Sequence, residues 1–454
     1  MKINRFLSFF LLTALSLSLW SSPQAAALEP PEIQCKAALL VDAHTGVTVY
    51  AKNEHQELYP ASLTKIMTCL LTLEAIERGK LDMNQSITVT ESSLEGLSIY
   101  GSTAEIKAGE ILTVENLLYC MMVVSANEAC NILAEAISGS VAAFVGEMNA
   151  KAEALGCVNT HFVNPHGLHD SQHYTSAWDM YLITQEALKH EDFMTICNTP
   201  TATVPATNLS PARTLRTTNY LISGWYTRGY LNGDAHGVKT GSTSQAGHCL
   251  VSTATRGTRS FISVVLGGDR VELEANKEIR TYSFYDTNLL YHWAFDNFTY
   301  QTLLTKDDPV LEVAVSLSKT DHVIARPAND VEVLLANDIP PEALERTVTL
   351  KADPVEAPLA AGDVLGSMTL SYGDVEYATV DLLALNDVEA SRPQVLLRDL
   401  KLFLDKPSVK VVGAVLAALA LLFALWKLVF SRRRYRYGRS VNRSRRNSYR
   451  GRRR

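Results

Sequence analysis

The chain has 454 residues, of which 47% are hydrophobic and 20% are charged. This length allows about two to three globular domains with buried cores, and the composition excludes a disordered or low-complexity protein. The formal net charge of −6 is the sum of two opposite regions, because twelve of the 42 basic residues lie in residues 431–454. When those twelve residues are excluded together with Lys2 and Arg5, 28 basic residues and 48 acidic residues remain. Residues 28–430 therefore carry a net charge of about −20. Bulk charge of this kind governs solubility and says little about the substrate.

The first 27 residues have the features of a secretory signal. Lys2 and Arg5 precede an apolar run over residues 6–20, and Ala25-Ala26-Ala27 supplies a small-residue cleavage site. The alternative is an uncleaved anchor helix, but the run is short for a membrane span. We therefore predict an exported protein whose mature chain begins near Leu28.

The mature chain begins with a predicted hairpin and a buried helix. Residues 38–41 and 47–50 have the composition of two strands around a turn at 43–46. After Pro60, apolar residues recur on most faces of a helical segment, which indicates a helix buried within the domain.

A block of helices follows, and strands return after it. The predicted helices are residues 113–124, 128–137, 141–155 and 176–189, with Ser125-Ala126-Asn127 between the first two. The predicted strands are residues 237–241, 249–254 and 261–266, followed by a closing helix over 272–295. Strands at both ends of a domain, with helices between them, favour an α/β (α+β) catalytic domain over residues 28–298, with one antiparallel sheet flanked by helices.

The composition changes after that domain. Residues 303–391 contain short strands separated by Pro, Gly, Asp and Asn, which indicates a small all-β domain that acts as a spacer or docking module. Residues 392–410 are predicted to form a linker. Residues 411–430 are apolar and long enough to cross a membrane, and their single charge, Lys427, lies near the end of the stretch.

The Arg-rich residues 431–454 contain no Asp or Glu. Positive charge next to a span marks the cytoplasmic side, so we predict a cytoplasmic tail and an extracytoplasmic catalytic domain. A basic tail is also found in nucleic-acid-binding proteins, but no aromatic platform or binding module accompanies this one. Attraction to anionic lipid is the favoured interpretation, and no nucleic-acid partner is expected.

The seven cysteines are spread along the chain, and their spacing does not match a zinc site. They are Cys35, Cys69, Cys120, Cys130, Cys157, Cys197 and Cys249. Several lie in apolar sequence, so we predict buried free thiols, with one or two disulfides left open.

Ser62 and Lys65 form the first candidate catalytic pair. In Ser62-Leu63-Thr64-Lys65 they lie three positions apart at the start of the predicted buried helix. On a helix the two side chains share one face, one turn apart, and are close enough to exchange a proton. The helix N-terminus favours a developing negative charge at Ser62. We therefore predict that Ser62 is a nucleophile and that Lys65 is its base.

A lysine accepts a proton near neutral pH only when burial or nearby cations lower its pKa. The apolar helix and a second cation, Lys239, are expected to do this for Lys65. Ser125 is expected to relay protons to the leaving group, and Asn127 to hold Lys65 or the substrate amide. Lys239 and Thr240, on a predicted strand, are expected to bind a carboxylate while the strand backbone pairs with an extended substrate.

Each motif alone is weak, because the Ser-x-x-Lys spacing recurs at Ser316 and the Ser-x-Asn spacing at Ser440. Taken singly, Ser62 fits a helix cap, Ser125 a turn residue and Lys239 a solvated charge. The combination is more specific, because the three motifs occur in order in one domain, each at a suitable helix start, interhelix turn or strand.

The motifs Ser62-x-x-Lys65, Ser125-x-Asn127 and Lys239-Thr240-Gly241 resemble the signature of penicillin-binding proteins and serine β-lactamases. Within that group the chain is similar to the low-molecular-mass D-alanyl-D-alanine carboxypeptidases. The supporting segments are residues 61–68, 125–129, 164–168 and 238–243. The likeness extends into the β-rich region and covers about residues 35–390.

The resemblance implies a penicillin-binding or β-lactamase-like fold and removal of the terminal D-alanine from peptidoglycan stem pentapeptides. Ser62 would attack the penultimate D-alanine, Lys65 would take its proton, and water would hydrolyse the acyl-enzyme. The backbone N–H groups of Ser62 and Ser242 would hold the oxyanion. β-Lactams would acylate the same serine, and no metal or organic cofactor is implied. The implied substrate-binding residues are Asn127, Lys239, Thr240, Gly241 and Ser242.

Alternatives stay open. A β-lactamase needs a deacylation base, and no Glu-x-x-Leu-Asn stretch lies between Asn127 and Lys239. A D,D-endopeptidase or transpeptidase has the same motifs, and a non-catalytic penicillin-binding sensor would lose a member of the triad. The chain departs from many relatives in two features, namely a membrane-spanning segment in place of an amphipathic C-terminal helix, and Glu128 in place of Asp.

Overall fold

A computed structural model of the protein describes residues 28–274 and 277–434, with side chains described as far as Phe430. The predicted signal segment and residues 435–454 of the predicted tail lie outside the described residues. The described chain forms two compact units. The first contains residues 28–305, 329–347 and 368–380, and the second contains residues 306–328, 348–367 and 381–434.

The helices are α1 (Lys65–Glu77), α2 (Val114–Val123), α3 (Asn127–Ser138), α4 (Val141–Ala154), α5 (Ala177–Ala187), α6 (Glu191–Cys197), α7 (Tyr282–Asn297), α8 (Arg392–Asp405) and α9 (Pro407–Arg434). The strands of the first 305 residues are β1 (Ala37–Asp42), β2 (Thr48–Lys52), β3 (Ser86–Thr88), β4 (Ile111–Thr113), β5 (Thr201–Val204), β6 (Arg213–Arg216), β7 (Ala235–Thr243), β8 (Gly247–Arg256), β9 (Arg259–Gly268), β10 (Arg270–Glu272), β11 (Ile279–Thr281) and β12 (Phe298–Leu304). The later strands are β13 (Leu311–Ser316), β14 (His322–Pro327), β15 (Val331–Ala336), β16 (Glu345–Leu350), β17 (Val355–Glu356), β18 (Val364–Tyr372) and β19 (Val375–Ala384).

A five-stranded antiparallel sheet organises the first unit, in the order β2-β1-β9-β8-β7. The N-terminal strand β1 pairs with β9, so that Ala37 lies opposite Leu266. Successive residues of a strand point to opposite faces, and here Leu39 and Leu40 enter two different apolar clusters. Both faces of the sheet are therefore covered, and the predicted sheet with flanking helices is confirmed.

Helix α1 lies in the larger of these clusters and is buried along nearly its whole length, as its apolar sequence predicts. Helix α7 covers the opposite face of the sheet with residues such as Phe284 and Tyr291. The helix predicted over 272–295 was placed too early, because residues 270–281 include the short hairpin of β10 and β11. In β10, exposed Arg270 and Glu272 flank the half-buried Val271, a period-two pattern that suits a surface strand.

The second unit contains strands, as predicted for the C-terminal region. Strand β13 pairs with β14, and β14 pairs with β19. Residues 392–405, predicted as part of a linker, instead form the helix α8. Five of its six exposed large apolar residues recur at helical spacing and form one apolar face, and the sixth, Leu402, lies off that face. The five are Leu396, Leu397, Leu400, Phe403 and Leu404.

The predicted span over 411–430 lies inside the longer helix α9. Residues Pro407–Phe430 are long and apolar enough to cross a membrane. All seven cysteines are free thiols, and only Cys157 among them is not fully buried. The prediction of buried free thiols therefore holds for the other six.

Candidate active site

Ser62 lies in a single 3₁₀ turn, Ala61–Thr64, that leads directly into α1. Ser62 is half-buried, whereas Lys65 is completely inaccessible to solvent. The Nζ atom of Lys65 lies 3.0 Å from Ser62 Oγ. The structure therefore brings the candidate nucleophile and base within hydrogen-bond distance.

Two further acceptors orient the amine of Lys65. Its Nζ donates to Asn127 Oδ1 at 2.8 Å and to the carbonyl oxygen of His166 at 2.7 Å. Burial lowers the pKa of Lys65, which favours the neutral amine. A neutral amine has two N–H groups and one lone pair. Because both N–H groups are used by acceptors that cannot donate, the lone pair is left for the hydroxyl proton of Ser62.

The backbone before Ser62 is held in an uncommon conformation, because Ala61 has a φ of +48°. Thr64 Oγ1 donates to the carbonyl oxygen of Ala61 and accepts from His173 Nε2 at 2.8 Å. His173 Nδ1 accepts from the backbone N–H of Val163, which fixes the neutral ring. Burial lowers the pKa of His173 to about 4, so the ring stays neutral at physiological pH. These bonds fix the turn that presents Ser62.

Glycine is required where a neighbouring loop touches this turn. A Cβ atom on Gly167 would lie 1.8 Å from the carbonyl oxygen of Ala61. The φ of Gly167 is +84°, a conformation that glycine adopts readily. The segment Asn164-Pro165-His166-Gly167 therefore reaches the turn closely enough for the His166 carbonyl to bind Lys65.

Ser125 lies in the break between α2 and α3 with a φ of +67°. Its side chain is 4% exposed, and its Oγ has no hydrogen-bond partner in the described part of the chain. Buried hydroxyl groups are normally paired, so this one is available to a group that enters the cleft. Ser125 and Ser62 line the same cleft.

Strand β7 forms the opposite wall. Lys239 is 1% exposed, and its Nζ donates to the carbonyl oxygen of Thr240 at 3.1 Å. Burial and the charge of Lys65 together lower the pKa of Lys239 to about 7. Thr240 Oγ1 lies 2.5 Å from Thr218 Oγ1, so two hydroxyl groups meet in the cleft. A lysine beside a pair of hydroxyl groups suits a carboxylate ligand.

Gly241 lets this strand touch the nucleophile turn. A Cβ atom there would lie 2.7 Å from the carbonyl oxygen of Pro60 and 3.1 Å from the backbone nitrogen of Ser62. Ser242 follows at the exposed end of the cleft. The backbone of this end of β7 and that of Ser62 are therefore adjacent, as an oxyanion hole built from both requires.

Of the predicted site residues, Ser62, Ser125, Thr240, Gly241 and Ser242 line one cleft. Lys65 and Lys239 lie buried behind that lining, and Asn127 is bonded to Lys65. Within residues 28–274 and 277–434, no group of three or more His, Cys, Asp or Glu side chains is placed to share a metal ion.

Sequence reasoning missed three contributors to the site. Residues 164–168 contribute to the family resemblance, but the bond from Lys65 to the His166 carbonyl was not predicted, and neither was the contact of the Thr218 hydroxyl with Thr240, because the partners are distant in the chain. Glu128 is noted from the sequence only as a departure from relatives that carry Asp, and its buried carboxylate accepts from Thr103 Oγ1 and from the backbone N–H of Ala104. Glu128 therefore holds the segment that follows Ser102, a residue of the cleft wall.

The fold and the site together are those of a serine hydrolase, with Ser62 as the candidate nucleophile and Lys65 as the candidate base. A family model described as D-alanyl-D-alanine carboxypeptidase, Peptidase S11, matches residues 24–270. A second model, penicillin-binding protein 5 C-terminal domain, matches residues 298–390. The chain belongs to the Peptidase S11 family of D-alanyl-D-alanine carboxypeptidases.

Individual relatives agree with this assignment. The chain is 32% identical to the D-alanyl-D-alanine carboxypeptidase DacF of Bacillus subtilis, over 78% of this chain and 86% of DacF. Penicillin-binding protein 5 from Haemophilus influenzae superposes with a TM-score of 0.63 at 29% identity, covering 80% of this chain and all of that one. The DD-transpeptidase of Streptomyces K15, as a Ser-to-Ala mutant, gives a TM-score of 0.52 at 27% identity, covering 59% of this chain and 99% of the other.

Proposed function

We propose that the protein is a serine-type D-Ala-D-Ala carboxypeptidase that removes the terminal D-alanine from peptidoglycan stem pentapeptides through an acyl-enzyme on Ser62. The observation that carries the proposal is the hydrogen-bond geometry of Lys65, whose lone pair is directed at Ser62 Oγ by two fixed acceptors. Membership of a family whose relatives are named D-alanyl-D-alanine carboxypeptidases supports the choice of substrate.

In the first half-reaction Ser62 Oγ attacks the carbonyl carbon of the penultimate D-alanine and Lys65 takes the hydroxyl proton. The backbone N–H groups of Ser62 and Ser242 stabilise the developing oxyanion. The unpartnered hydroxyl of Ser125 passes a proton to the amine of the leaving D-alanine. The carboxylate of that D-alanine binds at Lys239, Thr240 and Thr218.

In the second half-reaction water takes the place of the departed D-alanine and attacks the ester. Lys65 is again the base, because its neutral form is restored when the leaving amine takes the proton. A β-lactam carries a carboxylate and a reactive amide in a comparable arrangement. It therefore acylates Ser62 as the amide bond of the four-membered ring breaks, and the released amine stays tethered to the acyl group where D-alanine would leave.

We also propose that α9 anchors the enzyme by spanning the membrane, with the catalytic unit on the extracytoplasmic side. The apolar stretch Pro407–Phe430 supports the span, and the twelve arginines of residues 431–454 support this orientation. The exposed apolar face of α8 precedes the span and lies in the membrane interface. Deletion of residues 407–454 is expected to reduce the fraction of the protein that is recovered with membranes. Exchange of Leu397 and Leu400 for Glu in this truncated protein is expected to abolish the membrane attachment that is left.

The catalytic proposal is tested by D-alanine release from a stem pentapeptide that ends in D-Ala-D-Ala. The wild-type protein is expected to release D-alanine, and Ser62→Ala is expected to release none above background. A peptide ending in D-Ala-L-Ala is the substrate control and is expected to be inert. Failure of the wild-type protein to release D-alanine would refute the enzyme assignment.

A further inference from the structure

We propose that Asp338 binds the α-ammonium group that signal cleavage would create at Leu28, so that processing of the chain adds an ion pair inside the first compact unit. The two residues lie 310 positions apart in the sequence, and both belong to that unit. This inference depends on the predicted cleavage before Leu28 and is independent of the catalytic proposal.

The backbone nitrogen of Leu28 lies directly against the carboxylate of Asp338. It donates to Oδ2 at 2.9 Å. The other oxygen, Oδ1, is buried and has no hydrogen-bond partner in the described part of the chain. Buried carboxylate oxygens normally accept hydrogen bonds, so Oδ1 lacks a donor. A backbone amide has one N–H group to donate, whereas an α-ammonium group has three and can bind both oxygens.

Asp338 also has no partner of opposite charge. Within residues 28–274 and 277–434, no lysine, arginine or histidine forms an ion pair with it. Asp338 is the one charged side chain among the described residues that line a cavity of about 680 Å³, which also contains Trp293 and Phe298. Burial raises the pKa of the phenols of Tyr50 and Tyr377 in the same lining, so these groups stay uncharged at neutral pH. A single carboxylate in such surroundings is stabilised most by a cation bonded to it.

The segment that leads from Leu28 to strand β1 is fixed by contacts of its own. Ile33 is 3% exposed, and the backbone N–H groups of Gln34 and Cys35 both donate to Asp286 Oδ2, at 2.8 Å and 2.7 Å. Leu28 lines the cavity beside Asp338. The course of the segment therefore brings the N-terminal nitrogen to the carboxylate.

The carboxylate is presented by a turn that follows strand β15. The backbone N–H of Asn337 donates to the carbonyl oxygen of Asn297 at 2.8 Å, and that of Ile339 donates to the carbonyl oxygen of Ala336 at 3.0 Å. The first of these bonds ties the turn to the end of helix α7. Because the receptor is already held in place, little conformational entropy is lost when the ammonium group binds.

Two independent observations meet at Leu28. The small residues Ala25-Ala26-Ala27 predict from the sequence that cleavage leaves Leu28 at the N-terminus. The structure places the nitrogen atom of this same residue on Asp338. Hydrolysis of the bond between Ala27 and Leu28 consumes one water molecule and leaves a carboxylate on Ala27 and an amine on Leu28. The amine takes up the released proton, since an α-amino group has an ordinary pKa of about 7.7–8.0.

The test measures how fast an N-hydroxysuccinimide ester acetylates the N-terminal amine of the exported, full-length mature protein in detergent at pH 7. Mass spectrometry of the N-terminal peptide identifies its first residue and follows the reaction. Only the unprotonated amine reacts, and a bound carboxylate favours the ammonium form. Wild type is therefore expected to begin at Leu28 and to react about tenfold more slowly than Asp338→Asn. Asp374→Asn is the matched control and is expected to react like wild type, because Asp374 is an exposed carboxylate of the same unit.

A second variant keeps Asp338 and so decides the question even if Asp338→Asn does not fold. It retains Ala27 as the first residue, which moves the amine by one residue, about 3.8 Å. This amine is expected to react about tenfold faster than that of wild type, and the melting temperature to fall by about 2–4 °C. In Asp338→Asn the extra residue is expected to change neither value further. An exported chain that begins elsewhere, or equal reaction rates with and without Ala27, would overturn the proposal.

Discussion

Asn127 Oδ1 accepts a 2.8 Å hydrogen bond from Lys65 Nζ, and this bond joins two motifs that lie 62 positions apart in the chain. Together with the carbonyl of His166, it leaves the amine of Lys65 one direction in which to accept a proton. The same amide is buried at the start of α3, directly after the break that carries Ser125. The candidate base and nucleophile are thus held by one hydrogen-bonded cluster, and the candidate relay Ser125 lies two positions before Asn127.

Exchange of Asn127 for Asp is expected to shift the pH dependence of acylation. A carboxylate beside Lys65 favours the ammonium form and raises the pKa of Lys65, so the base becomes active only at higher pH. Acylation by a β-lactam at pH 7 is expected to fall about 10- to 100-fold and to recover as the pH rises. Asn131→Asp is the matched control, since Asn131 is also buried in α3 but has no bond to Lys65. An unchanged pH profile in Asn127→Asp would contradict this role.

Loss of the positive charge of Lys239 is expected to lower the acylation rate for anionic substrates at high pH, which gives the pH–rate profile a descending alkaline limb. Its pKa is lowered to about 7, so its positive charge is present below that pH and is lost as the pH rises through it. The second-order rate constant for acylation by benzylpenicillin is therefore expected to decline above pH 7. The methyl ester of the same β-lactam has no carboxylate and should lack this limb. If the acylation rates of benzylpenicillin and of its methyl ester declined identically above pH 7, Lys239 would not be the group that binds the carboxylate.

Lys239→Met is expected to stabilise the folded protein while impairing its activity. A folded-state pKa of about 7 lies below the unfolded value of about 10.4, so the unfolded chain binds more protons between these values. Stability of the wild-type protein therefore rises with pH from about 7 to about 10. Removing the buried charge is expected to raise the free energy of unfolding by about 1–3 kcal/mol at pH 6 and to flatten this slope. Urea titrations of both proteins in detergent at pH 6 and 9 measure the free energy of unfolding. If its change between the two pH values were the same in both proteins, Lys239 would not be a buried group that titrates in this range.

Gly167→Ala is expected to disrupt the nucleophile turn. The added Cβ would lie 1.8 Å from the carbonyl oxygen of Ala61, so the loop or the turn must move. Gly139→Ala is the matched control, because Gly139 also has a positive φ but no atom within 4 Å of the added Cβ. The control is expected to lose about 1 kcal/mol of stability and to keep its rate of β-lactam acylation. Gly167→Ala is expected to lose at least about 3 kcal/mol, and a milder effect than in the control would show that the contact is unimportant.

The arrangement of the catalytic unit was predictable because its signals are local. Helix α1 is apolar on most faces, and the strands at both ends of the domain have turn residues between them. The spacing of Ser62 and Lys65 predicts their contact, since three positions along one turn bring both side chains to one side. Ser316, which repeats the motif, lies on β13 and donates instead to the carbonyl oxygen of Val355.

The structural features that could not be predicted from the sequence depend on contacts between distant segments of the chain. Nothing near Thr218 in the sequence indicates a bond to Thr240, and nothing near Glu128 indicates that it holds Thr103 and Ala104. Helix α8 was missed for a different reason, because a short segment before a span has the composition of a linker until its helical periodicity is considered. Such features follow from tertiary structure, which residue spacing along the chain does not encode.

The central claim, that Ser62 is the acylated nucleophile, is tested most directly by mass spectrometry after incubation with benzylpenicillin. Wild type is expected to gain one penicilloyl group on the peptide that contains Ser62. Ser316→Ala, the control with the repeated motif, is expected to gain the same group, and Ser62→Ala to gain none. An adduct that persists in Ser62→Ala, or a wild-type protein that gains no adduct, would contradict the account.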